Sequence, residues 1–87
     1  MTYTLELSSQ AQSYLRRQTP GAQRRIGRRL DQLCDDPYDA SISKVLVGRG
    51  GQRSSRVGDF RILYFVDDTV RVVDVSDIGP RGDVYGP

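Results

Sequence analysis

The sequence predicts an α+β domain with an N-terminal strand, a helical hairpin, and then antiparallel strands that form a twisted sheet with the two helices packed on one face. Three observations support this fold class. The first residues alternate apolar and polar side chains, residues 9–34 carry apolar side chains at helical spacing, and from residue 44 onward short β-type runs are separated by glycine or aspartate. Because a chain of 87 residues can bury only one core, we expect a single domain over residues 1–87.

The first strand and the first helix are predicted from "TYTLELS" and the residues that follow it. Tyr3, Leu5 and Leu7 alternate with polar residues, which is typical of a strand with one buried face. Ser8 or Ser9 is suited to cap the next helix, because a serine hydroxyl accepts a hydrogen bond from an N–H of the first turn. This helix is short, since "RQTPGAQ" interrupts it.

A second helix is predicted to begin at Pro20 with Thr19 as its N-cap, because a proline at the first helical position loses no intrahelical hydrogen bond. Pro37 disfavours helix in the residue before it and ends the pattern. The predicted buried stripe consists of Ala22, Ile26, Leu30, Leu33 and Cys34. The predicted outward side carries Arg24, Arg25, Arg28 and Arg29. These arginines form either a solvated face or contacts to phosphates.

From Lys44 onward the pattern predicts two to four short strands in the segments "KVLV", "RSSRV", "FRILYFV" and "VRVVDVS". The "DDT" turn predicts that the last two are adjacent and antiparallel. In "FRILYFV", one alternating set is the more uniformly apolar and is predicted to lie under the helices. That set is Phe60, Ile62, Tyr64 and Val66. Arg61 then projects onto the opposite, open face, where Arg53 or Arg56 of the preceding strand would stand beside it.

Composition restricts the chemistry available to the protein. There is no histidine and a single cysteine, Cys34, so we expect neither thiol–imidazole catalysis nor a zinc site, and Cys34 is predicted to be a small core residue. No cofactor is expected. No apolar run approaches the ~18 residues of a membrane helix and no export signal begins the chain, so a cytoplasmic location without membrane contact is expected.

Arginine dominates the basic residues. Of the thirteen lysines and arginines, only Lys44 is a lysine. This bias fits phosphate recognition, because a guanidinium donates two parallel hydrogen bonds to one phosphate, and it fits equally well the codon usage of a GC-rich genome.

The closing segment "GPRGDVYGP" places Arg81 and Tyr85 just beyond the last strand. If both converge with Arg61, the open face carries a basic pocket with an aromatic rim, which suits a polyanion whose bases can stack. The simpler alternative is that each is a solvated surface residue.

Two motifs connect the chain to a known family. "RVGDFRILYFVDD" and "GPRGDVY", in the order strand, helix, helix, strands, resemble the RelE/ParE superfamily of toxins from bacterial type II toxin–antitoxin systems. Members typically show R-x-G-[DS]-[YF]-R-[IV]-x-Y on the central strand and G-[HK]-R-x-x-[VI]-Y after the last one. Here these motifs run from Arg56 to Tyr64 and from Gly79 to Tyr85. The segments "RRIGRRLDQLCDDPYDA" and "KVLVG" also resemble the family, so the resemblance covers essentially the whole chain.

The RelE branch is favoured, and this resemblance implies an endoribonuclease that enters the ribosomal A site, cuts the mRNA there and is neutralised by a cognate antitoxin. Operator DNA would be contacted only through the antitoxin. By motif, Arg61 would hold the scissile phosphate, Arg81 would stabilise charge at the phosphorane and leaving oxygen, and Tyr85 would stack on a base or act as general base. The RNA 2′-OH attacks the adjacent phosphate, a step that needs no metal. The residues predicted to bind RNA or the ribosome are Lys44, Arg49, Arg53 and Arg56.

The sequence departs from the family pattern at two positions of this site. Ser54 stands two residues before Arg56, where active RelE-type toxins usually carry a basic residue. Arg53 lies one step earlier and points to the opposite face of a regular strand, unless a bulge brings it back. Pro80 stands before Arg81, where histidine or lysine is common, and offers no proton. Weak or strictly ribosome-dependent cleavage is therefore the expectation.

Two alternatives to the nuclease remain open from the sequence. One is a ParE-like inhibitor of DNA gyrase that binds without catalysis. The other is a non-catalytic member that forms a complex with its antitoxin and represses their shared operon.

Overall fold

The computed structural model describes residues 2–81. In chain order, these residues form β1 (Thr4–Leu7), α1 (Ser9–Arg16), α2 (Pro20–Asp35), β2 (Lys44–Val45), β3 (Arg53–Val57), β4 (Phe60–Asp67) and β5 (Val72–Pro80). The strands make one sheet in the order β1-β5-β4-β3-β2. β1 runs parallel to β5 and the other pairs are antiparallel, so the sheet is mixed. The predicted α+β class is confirmed.

Both helices begin at the predicted caps. The Ser8 hydroxyl accepts a hydrogen bond from the N–H of Ala11 at 3.1 Å, and the Thr19 hydroxyl accepts one from the N–H of Ala22 at 3.2 Å. Pro20 occupies the start of α2. The caps satisfy N–H groups that have no partner within the helix, which fixes where the two arms of the hairpin start.

The core lies between the two helices and one face of the sheet. The predicted stripe of α2 is buried, and its residues from Ile26 onward pack in one cluster with Ile62 and Tyr64 of β4. Phe60 and Val66 pack against the same cluster, which confirms the predicted orientation of β4. Cys34 is buried within this cluster, as predicted, and burial raises the pKa of its thiol.

The strand β2 is shorter than predicted. "KVLV" contributes only Lys44 and Val45 to the sheet, and the last bond on this side joins the N–H of Leu46 to the carbonyl of Gln52 at 2.8 Å. The chain then turns through Gly48, Gly50 and Gly51, whose φ values of 70°, 64° and 86° require glycine. At its other end β2 begins at Lys44, which pairs with Ser54, so among the described residues no strand lies beside the outer edge of β3 beyond Ser54.

The strand β5 is longer than predicted and contains a bulge. Leu63 pairs with Asp77 and Tyr64 with Val75, so Ser76 is an extra residue on β5. The bulge shifts the alternation by one, and the core therefore takes Val73, Val75 and then Ile78. It also places Gly79 opposite Arg61.

The N-terminal elements hold β5 in place. Beyond the end of β1, the side-chain amide of Gln10 donates to the carbonyl of Ile78 at 2.8 Å and accepts from its N–H at 3.0 Å. The Ser8 hydroxyl donates to the carbonyl of Ser76 at 2.7 Å. These bonds continue the pairing that β1 began. Among the described residues, no helix is long and apolar enough to cross a membrane.

Candidate functional site

A pocket of about 410 Å³ opens at the edge of the sheet where β2 ends and β3 continues. One wall is formed by β3 and β4, and the other by α2 and residues 40–43. The lining residues are Arg29, Ala40, Ser41, Ile42, Ser43, Lys44, Ser54, Arg56 and Arg61. Four of these described lining residues are cationic and none is acidic. The pocket is large enough for a small ligand, and its charge favours an anionic one.

Arg56 and Arg61 are direct partners across β3 and β4, so their side chains share the open face as predicted. The carbonyl of Arg56 points away from β4, because it accepts a hydrogen bond from Nη1 of Arg29 at 2.7 Å. The pair is therefore of the non-hydrogen-bonded type, which brings opposing side chains closest together. Like charges in this position repel, and an anion placed between them would remove the repulsion. Arg56 is exposed, whereas Arg61 is half-buried with its Nε atom inside the protein.

Lys44 joins this cationic group from β2. It pairs with Ser54, two positions before Arg56, which places all three on one face of the sheet. Ser54 is buried and small, so it forms the floor of the pocket between the Lys44 and Arg56 side chains. The predicted RNA-binding residues Lys44 and Arg56 thus lie together with Arg61.

Arg29 also lines the pocket, so its predicted orientation is wrong. It was assigned to the outward side of α2, but its Nη1 donates to the Ser55 hydroxyl at 2.9 Å as well as to Arg56, and its Nε donates to Gln32 at 2.9 Å. Helical geometry explains the error: with 3.6 residues per turn, Arg29 lies only about 60° around the axis from Ile26. Its position at the margin of the buried stripe was the signal that could have identified it.

Arg25 is exposed, as predicted, although its guanidinium lies 5.9 Å from the centre of the Phe60 ring. Arg24 and Arg28, near the opposite side of the helix, are also exposed as predicted. Of these four arginines, Arg29 therefore differs from the prediction and the other three agree with it.

Residues 40–43 of the second wall belong to the segment that follows α2, and a buried polar network holds this segment in place. The Tyr64 hydroxyl donates to the carbonyl of Pro37 at 2.7 Å and shares a short hydrogen bond with Ser43. Nε of Arg53 donates to the same Ser43 hydroxyl at 2.9 Å. Because Tyr64 is fully buried, its hydrogen bonds anchor this segment to the hydrophobic core.

Arg53 does not line the pocket. The register of β3 with β4 is regular and pairs Arg53 with Tyr64, so no bulge returns it to the open face. Its guanidinium instead lies 5.2 Å from the centre of the Tyr38 ring. The structure thus brings Lys44, Arg56 and Arg61 together and leaves Arg53 on the helix side of the sheet.

Arg81 is at the end of β5, beside the turn that joins β3 to β4. Its N–H donates to the carbonyl of Asp59 at 2.8 Å, so the pairing of β4 and β5 continues one residue past Pro80. Gly79 is opposite Arg61, and strand alternation therefore directs the residue two positions later, Arg81, toward the same face. Arg81 is exposed.

The remaining predicted site residues lie apart from the pocket or outside the described chain. Arg49 is exposed in the glycine-rich turn after β2 and is not among the residues that line the pocket. Tyr85 lies outside the described residues.

A second polar cluster lies at the other end of β4. The hydroxyls of Tyr3 and Tyr38 both donate short hydrogen bonds to the carboxylate of Asp68. These bonds lower the pKa of Asp68 and raise that of Tyr38 to about 12. The Arg71 guanidinium lies 4.4 Å from the centre of the Tyr3 ring. The cluster ties the turn between β4 and β5 to β1 and to the segment after α2.

Metal ligands are not grouped in the described part of the chain. Within residues 2–81, no three His, Cys, Asp or Glu side chains lie close enough together to hold a metal ion. The groups that the pocket offers to a ligand are guanidinium and ammonium groups with serine hydroxyls between them.

Residues 5–85 match the family model for the ParE toxin of the type II toxin–antitoxin system parDE. The chain belongs to this toxin family. The predicted membership of the RelE/ParE superfamily is confirmed, and the protein is the toxin of a type II toxin–antitoxin system. No curated protein matches it by sequence.

This ParE-family toxin is similar in structure to several RelE proteins. The archaeal RelE–RelB complex of Pyrococcus horikoshii superposes with a TM-score of 0.82 at 26% identity, over 97% of this chain and 100% of that one. The toxin–antitoxin complex RelBE2 of Mycobacterium tuberculosis superposes with a TM-score of 0.81 at 24% identity, over 93% of this chain and 100% of that one. The isolated E. coli RelE toxin superposes with a TM-score of 0.78 at 22% identity, over 95% of this chain and 90% of that one. The last two likenesses, at these identities, concern the fold alone.

Proposed function

We propose that this toxin is a ribosome-dependent mRNA endoribonuclease of the RelE type. The observation that carries the proposal is the pocket in which Arg61 lies beside Arg56 and Lys44 without an acidic residue among its described lining. Like charges that face each other in register favour an anion bound between them, and in a nuclease that anion is the phosphate of the RNA.

In the proposed reaction, the ribose 2′-OH loses its proton and attacks the adjacent phosphorus. The bond from phosphorus to the 5′-oxygen of the next nucleotide then breaks, leaving a 2′,3′-cyclic phosphate and a free 5′-OH once that oxygen takes up a proton. Arg61 binds the non-bridging oxygens of the scissile phosphate, and Arg81 stabilises the charge on the phosphorane and on the leaving oxygen. Tyr85 is the proposed stacking residue or general base.

We expect this toxin to bind RNA well but to catalyse the two proton transfers of the reaction slowly. The position before Arg81 is Pro80, whose side chain has no ionisable group. A free tyrosine, with a pKa of about 10, is a poor base at neutral pH unless nearby guanidinium groups lower that value. We therefore propose slow cleavage that depends on the ribosome to orient the mRNA.

The proposed partners follow from the same assignment. The P. horikoshii and M. tuberculosis relatives were solved as complexes with their antitoxins. We propose that a cognate antitoxin neutralises this toxin as well and that operator DNA is bound only through that antitoxin. The cytoplasm is the proposed location.

Primer extension on an mRNA in a translating extract tests the nuclease. Wild-type toxin should produce new 5′ ends within codons, and Arg61→Ala should reduce cleavage by a factor of roughly one hundred or more, because a donor to the developing charge is lost. Arg24→Ala is the control, because Arg24 is exposed on the far side of α2. This variant should cleave mRNA at the wild-type rate. Intact transcripts in an extract where the wild-type toxin stops translation would overturn the proposal.

The ParE-like function is the second candidate, and the family model favours it, because the model that matches is that of a ParE toxin. In that case the toxin inhibits DNA gyrase without chemistry of its own. A supercoiling assay with purified gyrase discriminates the two: a loss of supercoiling that persists in Arg61→Ala selects the ParE-like activity.

A further inference from the structure

Arg29 is distinguished from the other arginines of α2 by the way it is held. Its Nε bonds Gln32, and its Nη1 bonds both the Ser55 hydroxyl and the carbonyl of Arg56, with all three distances between 2.7 and 2.9 Å. Three hydrogen bonds remove most of the rotational freedom that a surface arginine keeps. The side chain therefore crosses the open edge of β3 in one orientation, in the space that a longer β2 would have filled.

The same residue lines the pocket together with Arg61. Among the described residues, its third nitrogen, Nη2, makes no hydrogen bond. A guanidinium anchored through two nitrogens with the third available presents a preorganised donor of fixed charge. At this level β3 itself carries the neutral Ser54, and Lys44 of β2 is the cation opposite it.

We propose that Arg29 is a phosphate-binding residue of the toxin. It contacts an RNA phosphate next to the one held by Arg61, and it supplies from α2 the positive charge that β3 lacks at Ser54. This inference rests on the proposed function, in that the phosphate belongs to a single-stranded RNA. Ser55 and Gln32 are positioning residues for the Arg29 guanidinium.

The experiment measures binding and cleavage separately. The probe for binding is a mixed-sequence oligoribonucleotide with 2′-O-methyl groups, which cannot be cleaved, and affinity is followed by fluorescence anisotropy over a salt series. Arg29→Ala should weaken binding roughly tenfold or more. It should also lower the slope of log K against log salt by about 0.7, the value for one lost phosphate contact on a single strand.

Arg28→Ala is the matched control, because Arg28 is adjacent, exposed and carries the same charge. It should change neither the affinity nor the slope to a comparable degree. Ser55→Ala distinguishes the charge of Arg29 from its orientation. It removes one hydrogen bond that holds the guanidinium but keeps the charge, so the affinity should fall severalfold while the slope of log K against log salt stays unchanged. Thermal unfolding of each variant establishes that it is folded.

Three results would overturn the inference. One is equal behaviour of Arg29→Ala and Arg28→Ala. Another is a loss of affinity in Arg29→Ala with the wild-type slope, which would indicate a structural role only. A third is no binding of the probe by wild-type toxin. If the wild type binds the probe with the predicted Arg29 dependence but mRNA stays intact in the extract, the nuclease proposal fails while the assignment of Arg29 stands.

Discussion

Arg56 and Arg61 show how single residues acquire a role from their neighbours. Each is an ordinary arginine in the sequence, but the register places them opposite each other, and Arg29 donates to the Arg56 carbonyl, which points away from β4. Arg53, three positions before Arg56, faces the other way and supports the wall of the pocket through Ser43. At this scale, the phase of a residue along its strand decides between substrate contact and structural support.

Tyr64 is the residue that couples the pocket to the core, and its hydroxyl is expected to contribute measurably to stability. Tyr64→Phe removes the donor to Pro37 and the partner of Ser43 in a fully buried position. Buried groups left without partners cost about 1–3 kcal/mol. In a domain of this size each kcal/mol lowers the melting temperature by roughly 4–8 °C, which thermal unfolding measures.

A double-mutant cycle with Ser43→Ala provides the control for Tyr64→Phe. Because the two hydroxyls share one hydrogen bond, the losses of stability should be smaller together than their sum. Strictly additive losses would contradict the proposed network.

The turn between β3 and β4 determines the positions of several candidate site residues. Gly58 has φ of 55° and is followed by Asp59, which makes a two-residue hairpin turn with a positive φ at its first central position. This turn sets the register of Arg56 with Arg61, and its Asp59 carbonyl receives the N–H of Arg81. One turn therefore positions three of the candidate arginines.

Gly58→Ala is expected to destabilise the toxin by about 1–2 kcal/mol, because a side chain is unfavourable in the left-handed region. There is space for the added methyl group, so the effect is one of backbone conformation alone. Gly27→Ala is the matched control: Gly27 lies in α2 with open space around it, and the same substitution there should stabilise by about 0.5–1 kcal/mol. Denaturant unfolding measures both, and equal signs would contradict this account.

The turn between β4 and β5 is held by Asp68, and its contribution depends on pH. The hydrogen bonds from Tyr3 and Tyr38 lower the pKa of Asp68 below its ordinary 3.8. A lowered pKa in the folded state means stabilisation that is present above the unfolded value and is lost as pH falls through the folded value. Asp68→Asn should therefore lower the melting temperature at neutral pH, and the difference from wild type should shrink below about pH 4.

Asp74→Asn is the control for the Asp68 variant, since Asp74 is exposed on β5 and the substitution changes the net charge equally. It should leave the melting temperature close to that of the wild type. A difference between Asp68→Asn and wild type that stays constant down to pH 2 would contradict the proposed clamp. At the alkaline end, the stabilisation should be complete below the ordinary tyrosine pKa of 10.0 and should be lost as pH rises from there through the Tyr38 pKa of about 12.

At the scale of the whole molecule, the pocket exists because the sheet is incomplete at one edge. β2 covers only the first part of β3, and α2 and residues 40–43 close the remaining edge with polar and cationic side chains. The other edge is completed by β1 and then by the Gln10 amide. The fold thus protects one edge by pairing and leaves the other open as a charged pocket.

A phosphate that binds this pocket should stabilise the whole domain. Binding to the folded state alone adds RT ln(1 + [L]/Kd) to the free energy of unfolding, about 2.7 kcal/mol at a hundredfold excess over Kd. Replacing chloride with inorganic phosphate at matched ionic strength should therefore raise the melting temperature. The increase should be smaller in Arg61→Ala than in wild type and unchanged in Arg24→Ala. Equal increases in all three proteins would mean that phosphate acts only through the solvent.

Much of the molecule was predictable because its signals are local. Caps at Ser8 and Thr19, the stripe of α2 and the alternation in β4 each depend on residues within a few positions of one another, and all appear as predicted. The family motifs likewise lie within single strands. Strand alternation predicted the open face for Arg61 but left Arg53 and Arg56 as alternatives beside it, and the register of β3 with β4 decides for Arg56.

Local signals in the sequence were sufficient for the two helices, the adjacency of the last two strands, the buried faces of α2 and β4, and the membership of the toxin superfamily. Only the tertiary structure decided that β1 runs parallel to β5, that Ser76 bulges, and that Arg29 enters the pocket. The bulge matters most: without it the alternation from Val75 would turn Gly79 and Arg81 to the helix side, out of phase with Arg61. Pairing partners and bulges are set by packing between residues distant in sequence, and local periodicity carries no information about them.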